Sequence, residues 1–138
     1  MAWVESICKT YKPDIVLLDM GDKFAKTAGF ARTDEALKAN AVHARMIAKQ
    51  HECAIFYMSQ LSADAEGKVL LNQSMMEGSR TGKAAEADLM ILIAKNPPVD
   101  GQEEEDSQRH LNVVKNKLTG WHGVVHCELE YKTARYVS

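Results

Sequence analysis

The chain predicts an α/β fold: a parallel sheet flanked by helices, followed by antiparallel carboxyl-terminal strands. Three observations predict it. First, Ile15-Val16-Leu17-Leu18-Asp19 and Cys53-Ala54-Ile55-Phe56-Tyr57-Met58-Ser59-Gln60 are apolar runs that end abruptly in polar side chains. Buried parallel strands deliver polar groups to the carboxyl edge of a sheet in this way. Second, the stretch between them repeats apolar residues at a 3.6-residue period, as a crossover helix does. Third, the last thirty or so residues read as strands separated by a Gly-rich turn.

In chain order, residues 2–11 read as a short helix with Trp3, Val4, Ile7, Cys8 and Tyr11 on one stripe, stopped near Pro13. Residues 14–19 form a buried strand. Residues 20–32 form a loop with Gly21, Lys23, Lys26, Gly29 and Arg32. Thr33 or Asp34 caps a helix over 34–51, with Leu37, Ala41, Ala44, Ile47 and Ala48 on its apolar face. Residues 53–59 are a second buried strand. Residues 61–83 are a long polar connection, and such connections are usually functional or mobile. A short helix over 83–87 leads into Leu89-Met90-Ile91-Leu92-Ile93, a third buried strand. Pro97, Pro98, Gly101 and Glu103-Glu104-Glu105-Asp106 mark 96–108 as a solvated loop. Strands over 109–117 and 124–131 flank a turn at 119–123, and a last short strand lies within 133–137.

At 138 residues the chain is long enough for one domain with its own core. A net charge of -2 argues against a general polybasic coat, so nucleic-acid contacts must come from local loops. Cys8, Cys53 and Cys127 are an odd, widely spaced set that predicts reduced, buried thiols and a cytosolic setting. No apolar run reaches the ~20 residues of a membrane span, and the amino-terminal residues do not read as a signal peptide.

Asp19, at a strand end, can accept hydrogen bonds from water on Mg²⁺; an Asp that merely opens a turn is the plainer alternative. Gln60 can hydrogen-bond a terminal phosphate or an attacking water, with Ser59 in support. Adjacent strands would bring both residues to one crevice. Lys115 and Lys117 stand at i and i+2 of a strand, on one face and roughly 7 Å apart. They suit a phosphate, or protect a sheet edge. Gly78-Ser79-Arg80-Thr81-Gly82-Lys83 is not a phosphate-binding loop: three residues separate its glycines and Ala84 follows the lysine. Its Arg80 and Lys83 better fit contact with a DNA backbone. His122 and His126 lie about 13 Å apart along a strand, too far for one metal ion.

These segments, taken in order, resemble a known family. Asp14-Ile15-Val16-Leu17-Leu18-Asp19 resembles the Walker B strand of RecA-like P-loop NTPases. Ser59-Gln60-Leu61 resembles the glutamine switch of the DnaB-like hexameric replicative helicases. Ala87-Asp88-Leu89-Met90-Ile91-Leu92-Ile93 resembles their next core strand. Val114-Lys115-Asn116-Lys117-Leu118-Thr119-Gly120 is similar to their Lys-x-Arg segment, and Glu128 to Tyr136 to their closing hairpin. Ser79-Arg80-Thr81-Gly82-Lys83 and the acidic insertion are most similar to phage-type members.

The resemblance implies a partial RecA-like core over 1–138, the carboxyl half, without the Walker A phosphate loop. It implies ATP and Mg²⁺ as cofactors, with Asp19 holding the metal through water and Gln60 sensing the γ-phosphate. Lys115 and Lys117 would reach a neighbour's ATP across a subunit boundary. Lys117 stands where the family usually has Arg and offers a point charge rather than a bidentate fork. Loops 20–32 and 61–83 would face single-stranded DNA, with Lys68, Arg80 and Lys83 as its candidate ligands. The implied partners are five further copies in a hexamer and a primase or loader, in the cytoplasm of a bacterial or phage-infected cell. The chain alone is expected to lack ATPase activity and to self-associate through open strand edges. Two rival readings are a non-catalytic DNA-binding or helicase-docking module and a fragment of a RecA-type recombinase.

Overall fold

A computed structural model describes residues 1–24, 33–77, 82–97 and 106–137. They form two compact units. The first comprises Met1–Leu61 and Met76–Ala87, the second Ser62–Met75 and Asp88–Ser138.

In the first unit, helix α1 (Ala2–Tyr11) precedes strand β1 (Ile15–Leu18). Lys12 ends α1 in the left-handed conformation, its N–H donating to Cys8 O at 2.9 Å, and Pro13 comes next. A single turn of 3₁₀ helix spans Gly21–Lys23; helix α2 (Thr33–Gln50), strand β2 (Ala54–Tyr57) and the short helix α3 (Gly82–Glu86) complete the unit. β1 and β2 pair in parallel, Ile15 opposite Ala54 and Leu18 opposite Tyr57.

One face of this two-stranded sheet carries the core. Val4 and Cys8, one helical turn apart on α1, pack with Leu18, Ala44, Ile47 and Cys53, and Val16, Ile55 and Tyr57 close around them. Alanines at 36, 41 and 44 give α2 a thin buried face that lets it approach closely. The stripe expected on α1 is narrower than its composition suggests. Val4 and Cys8 are buried, but Trp3 is 70% and Tyr11 76% exposed.

The expectation of strands buried on both faces is corrected. Ile15, Leu17 and Phe56 all remain more than half exposed among the described residues. A run apolar at every position marks a strand built to be covered twice, and within this unit only one cover is present.

The second unit is an antiparallel sheet in the order β3-β4-β5-β6. Its strands are β3 (Leu89–Lys95), β4 (Gln108–Asn116), β5 (Gly123–Glu130) and β6 (Arg135–Val137). β3 therefore pairs with the tail and not with β1 or β2, and it too is one-faced: Met90, Leu92 and Ala94 are buried, while Leu89, Ile91 and Ile93 are exposed. Met90 faces Lys115 but Ile91 faces Val113, so Val114 is an extra residue in β4. Such a bulge bends a strand and re-aims the residues beyond it, and no composition signal marks it.

Asn112 is 3% exposed and is fully used. Its Oδ1 accepts from Leu71 N at 3.0 Å, and its Nδ2 donates to Val69 O at 3.0 Å and His110 O at 3.1 Å. Gln73 Nε2 donates to Val114 O at 2.8 Å. Ser62–Met75, expected to be an open connection, is thereby fastened across the sheet. His110 is buried opposite His126, the two Nδ1 atoms 2.7 Å apart, and its Nε2 meets Asn96 Oδ1 at 2.9 Å. Both its ring nitrogens are satisfied, as a buried imidazole requires. No helix among the described residues is long and apolar enough to cross a membrane. Cys8 and Cys53 are buried and Cys127 half-buried, all as free thiols.

Candidate functional site

The carboxyl ends of β1 and β2 carry the largest concentration of polar chemistry in the first unit. The hydrogen-bonded ladder runs past both strands: Met58 N donates to Leu18 O at 3.1 Å, and Gly21 N to Met58 O at 2.9 Å. This folds the chain after β1 back against the chain after β2. Gly21 is buried under the Tyr57 ring, where an added Cβ would stand 2.3 Å from a ring carbon. Only glycine permits that approach.

Behind this turn lies a closed polar cluster. Lys83, only 3% exposed, donates to Asp22 Oδ1 at 3.1 Å, Asp22 Oδ2 at 3.0 Å and Ser59 Oγ at 2.7 Å. Ser59 gives its hydroxyl hydrogen to Asp22 Oδ2, and Tyr57 gives its own to Asp22 Oδ1 at 3.3 Å. The ammonium thus spends three donors on three acceptors, and the carboxylate, 12% exposed, takes four hydrogen bonds. Burial, and next the Asp22 carboxylate, push the Tyr57 phenol far above its usual range, so it stays a hydroxyl donor.

A lysine beside a serine suggests a nucleophile. The geometry argues otherwise: an activated serine must pass its hydrogen to its base, whereas Ser59 passes it to Asp22 and the lysine donates to Ser59. The cluster is built to hold position.

The expected site residues surround this cluster unevenly. Asp19 follows β1 directly and is exposed, its carboxylate without a hydrogen bond or ion pair among the described residues. Gln60 is exposed too, its backbone O accepting from Glu77 N at 3.1 Å. The parallel register puts both at one edge of one sheet. An uncommitted carboxylate at a strand end fits a hydrated Mg²⁺, which keeps most of its waters and takes one or two protein carboxylates. Among the described residues no three His, Cys, Asp or Glu converge on a metal position, so Asp19 would hold the ion through water.

Lys115 and Lys117 lie in the second unit. Lys115 is in β4 just beyond the bulge; Lys117 is past the strand, its Nζ 3.4 Å from Asp88 Oδ1. The expected regular spacing is thus interrupted by the end of the strand. Lys68 is exposed in a turn made by Gly67 at φ +67°, with its own N–H donating to Ala65 O. Arg80 lies outside the described residues, as do Lys26 and Arg32. Lys83 is corrected: buried and fully bonded, it is not placed to reach a nucleic-acid backbone.

Sequence reasoning missed Asp22, Tyr57 and Asn112 and misread Lys83. A signal was present. Lys83 stands among Gly82, Ala84, Ala85 and Ala87, and a lysine that small residues leave buried needs a carboxylate partner.

No protein-family model matches the chain, and no curated protein matches it. Solved structures do. The ATPase domain of one DnaB-like helicase superposes with a TM-score of 0.80 at 15% identity, covering 99% of this chain and 50% of that one. A second DnaB-like replicative helicase, solved with regard to its interactions with primase, superposes with a TM-score of 0.77 at 16% identity, covering 99% of this chain and 33% of that one. At such identities the likeness establishes the fold. The chain spans half, and a third, of the length of these two solved chains.

Proposed function

We propose that this chain is a segment of an ATP-dependent replicative DNA helicase of the DnaB-like kind, whose complete form translocates on single-stranded DNA as a hexameric ring. The observation that carries this reading is the meeting of Asp19 and Gln60 at one edge of two parallel strands, in a chain that superposes over nearly its whole length on a helicase ATPase domain. Asp19 orients the waters of Mg²⁺, which supplies charge neutralisation on the ATP phosphates when bound. Gln60, fixed by its backbone and free at its side chain, bonds the terminal phosphate. Lys115 and Lys117 act on the nucleotide of a neighbouring copy. The exposed Lys117–Asp88 pair is worth less than about 1 kcal/mol, so Lys117 is readily released for that task. Lys68 and Arg80 contact the DNA backbone, and a primase or loader docks on the assembled ring.

A phosphate-binding loop has to come from elsewhere in the complete protein, because the Gly78–Lys83 segment has the wrong spacing. The purified chain is therefore expected to be silent with Mg²⁺ and ATP. Turnover that Asp19→Asn abolishes would refute this. The reading itself is tested by joining the chain to a phosphate-loop segment and measuring ATP hydrolysis with and without single-stranded DNA.

One observation favours a second reading, a non-catalytic docking module. Ile15, Leu17 and Phe56 in one sheet, and Leu89, Ile91 and Ile93 in the other, are exposed apolar faces of the kind that associate with partners. A joined polypeptide that binds DNA without hydrolysing ATP would favour it.

A further inference from the structure

We propose that Asp22 and Lys83 are positioning residues for Gln60, forming a joint that ties the bases of two loops to the residue just before it. This rests on the reading of Gln60 as a phosphate sensor. Three segments meet at one ammonium. Asp22 belongs to the turn that opens the 20–32 loop, Ser59 immediately precedes Gln60, and Lys83 closes the 61–83 connection. The main chain repeats the arrangement. Gly21 N donates to Met58 O before Gln60, Glu77 N donates to Gln60 O, and Leu61 bridges Met76 after it. The peptide on each side of Gln60 is therefore bound to the foot of a different loop, while the Gln60 side chain faces solvent.

The chemistry of the joint suits this task better than it suits plain stability. A buried ion pair usually does no better than an apolar pair of similar volume. It does fix direction, because its hydrogen bonds are satisfied in one arrangement only. A small shift of Ser59 must either carry Lys83 and Asp22 with it or leave a buried charge short of partners. Movement at Gln60 is thus transmitted to both loops together, and Lys83 acts from the interior.

The test uses the full chain and amide hydrogen exchange, compared across Lys83→Met, Lys83→Arg, Ser59→Ala and the double variant Asp22→Asn/Lys83→Met. The Gly21 and Glu77 amides report the joint. The Lys12 and His51 amides, bonded to Cys8 O and Ile47 O, report the helices of the same unit. Lys83→Met is expected to speed exchange at Gly21 and Glu77 about tenfold or more relative to Lys12 and His51. Lys83→Arg should restore part of that protection. The double variant should recover thermal stability without recovering it. Ser59→Ala keeps the ion pair and should loosen Glu77 alone, so the test survives a Lys83→Met that does not fold. Equal acceleration at all four amides, or protection fully restored in the double variant, would overturn the proposal. Exchange needs no nucleotide, so failure here leaves the helicase reading standing, and failure of that reading is seen separately in the ATPase assay.

Discussion

The two units solve the same problem with different chemistry. Each must fasten a long loop to the end of a short sheet. The first does it with a buried charge pair, Asp22 and Lys83, supported by Ser59 and Tyr57. The second does it with a neutral amide, Asn112, which holds Val69 and Leu71. A neutral clamp that loses a bond leaves an unsatisfied dipole, whereas a charged joint that loses its partner leaves an uncompensated charge. The charged joint is therefore the more sensitive to its geometry, and it is the one beside Asp19 and Gln60.

That contrast can be broken most directly by cutting each fastening. Lys83→Met is expected to destabilise the first unit by about 3–5 kcal/mol, the usual cost of removing one partner from a buried pair. Asn112→Ala should cost the second unit about 1–3 kcal/mol. Trp3 lies in the first unit and Trp121 in the second. Urea unfolding of Trp3→Phe and Trp121→Phe backgrounds therefore reads each loss in its own unit. Equal losses would erase the distinction.

Gly21→Ala sharpens it. The new methyl meets the Tyr57 ring, and overpacking of this kind costs about 1–3 kcal/mol. The expected result is a lower urea midpoint that Tyr57→Leu partly restores. Next in size is an alkaline effect confined to the first unit. The Tyr57 phenol ionises only far above its usual range when folded, through burial and then Asp22, but near pH 10 when unfolded. Its contribution is present below about pH 10 and is lost as pH rises beyond it. Cys8, raised by burial and then by Cys53, has the same sign and starts nearer the ordinary thiol range. A Tm series from neutral to strongly alkaline pH should fall less steeply for Tyr57→Phe. The smallest effect belongs to the exposed Lys117–Asp88 pair: Lys117→Ala should shift stability by less than about 1 kcal/mol.

The same contrast decides what was legible in the sequence. The elements were legible because their signals are local. Pro13 stops α1, the alanine-rich period marks α2, and the Gly120 turn separates β4 from β5. The adjacency of Asp19 and Gln60 was legible because parallel strands joined by a helix usually neighbour one another. The joint was not, because Asp22 and Lys83 are 61 residues apart, and nothing in either local sequence names the other. Lys83 looked like a surface cation until its small neighbours were seen to bury it. The Val114 bulge and the Asn112 clamp were hidden for the same reason: both are set by what lies across the sheet. The strands' second apolar faces were read as buried because composition reports what a strand is built to meet, not what the described residues bring to it.

The most direct test of the central claim is mixing. The chain joined to a phosphate-loop segment is assayed for ATP-dependent unwinding on single-stranded DNA tails, with Lys115→Ala and Lys117→Ala subunits doped into unmodified ones. A ring whose copies complete one another's sites predicts that activity falls faster than the unmodified fraction. Activity that falls only in proportion, or a joined protein that never hydrolyses ATP, would contradict the helicase reading and leave a binding module with an internal joint.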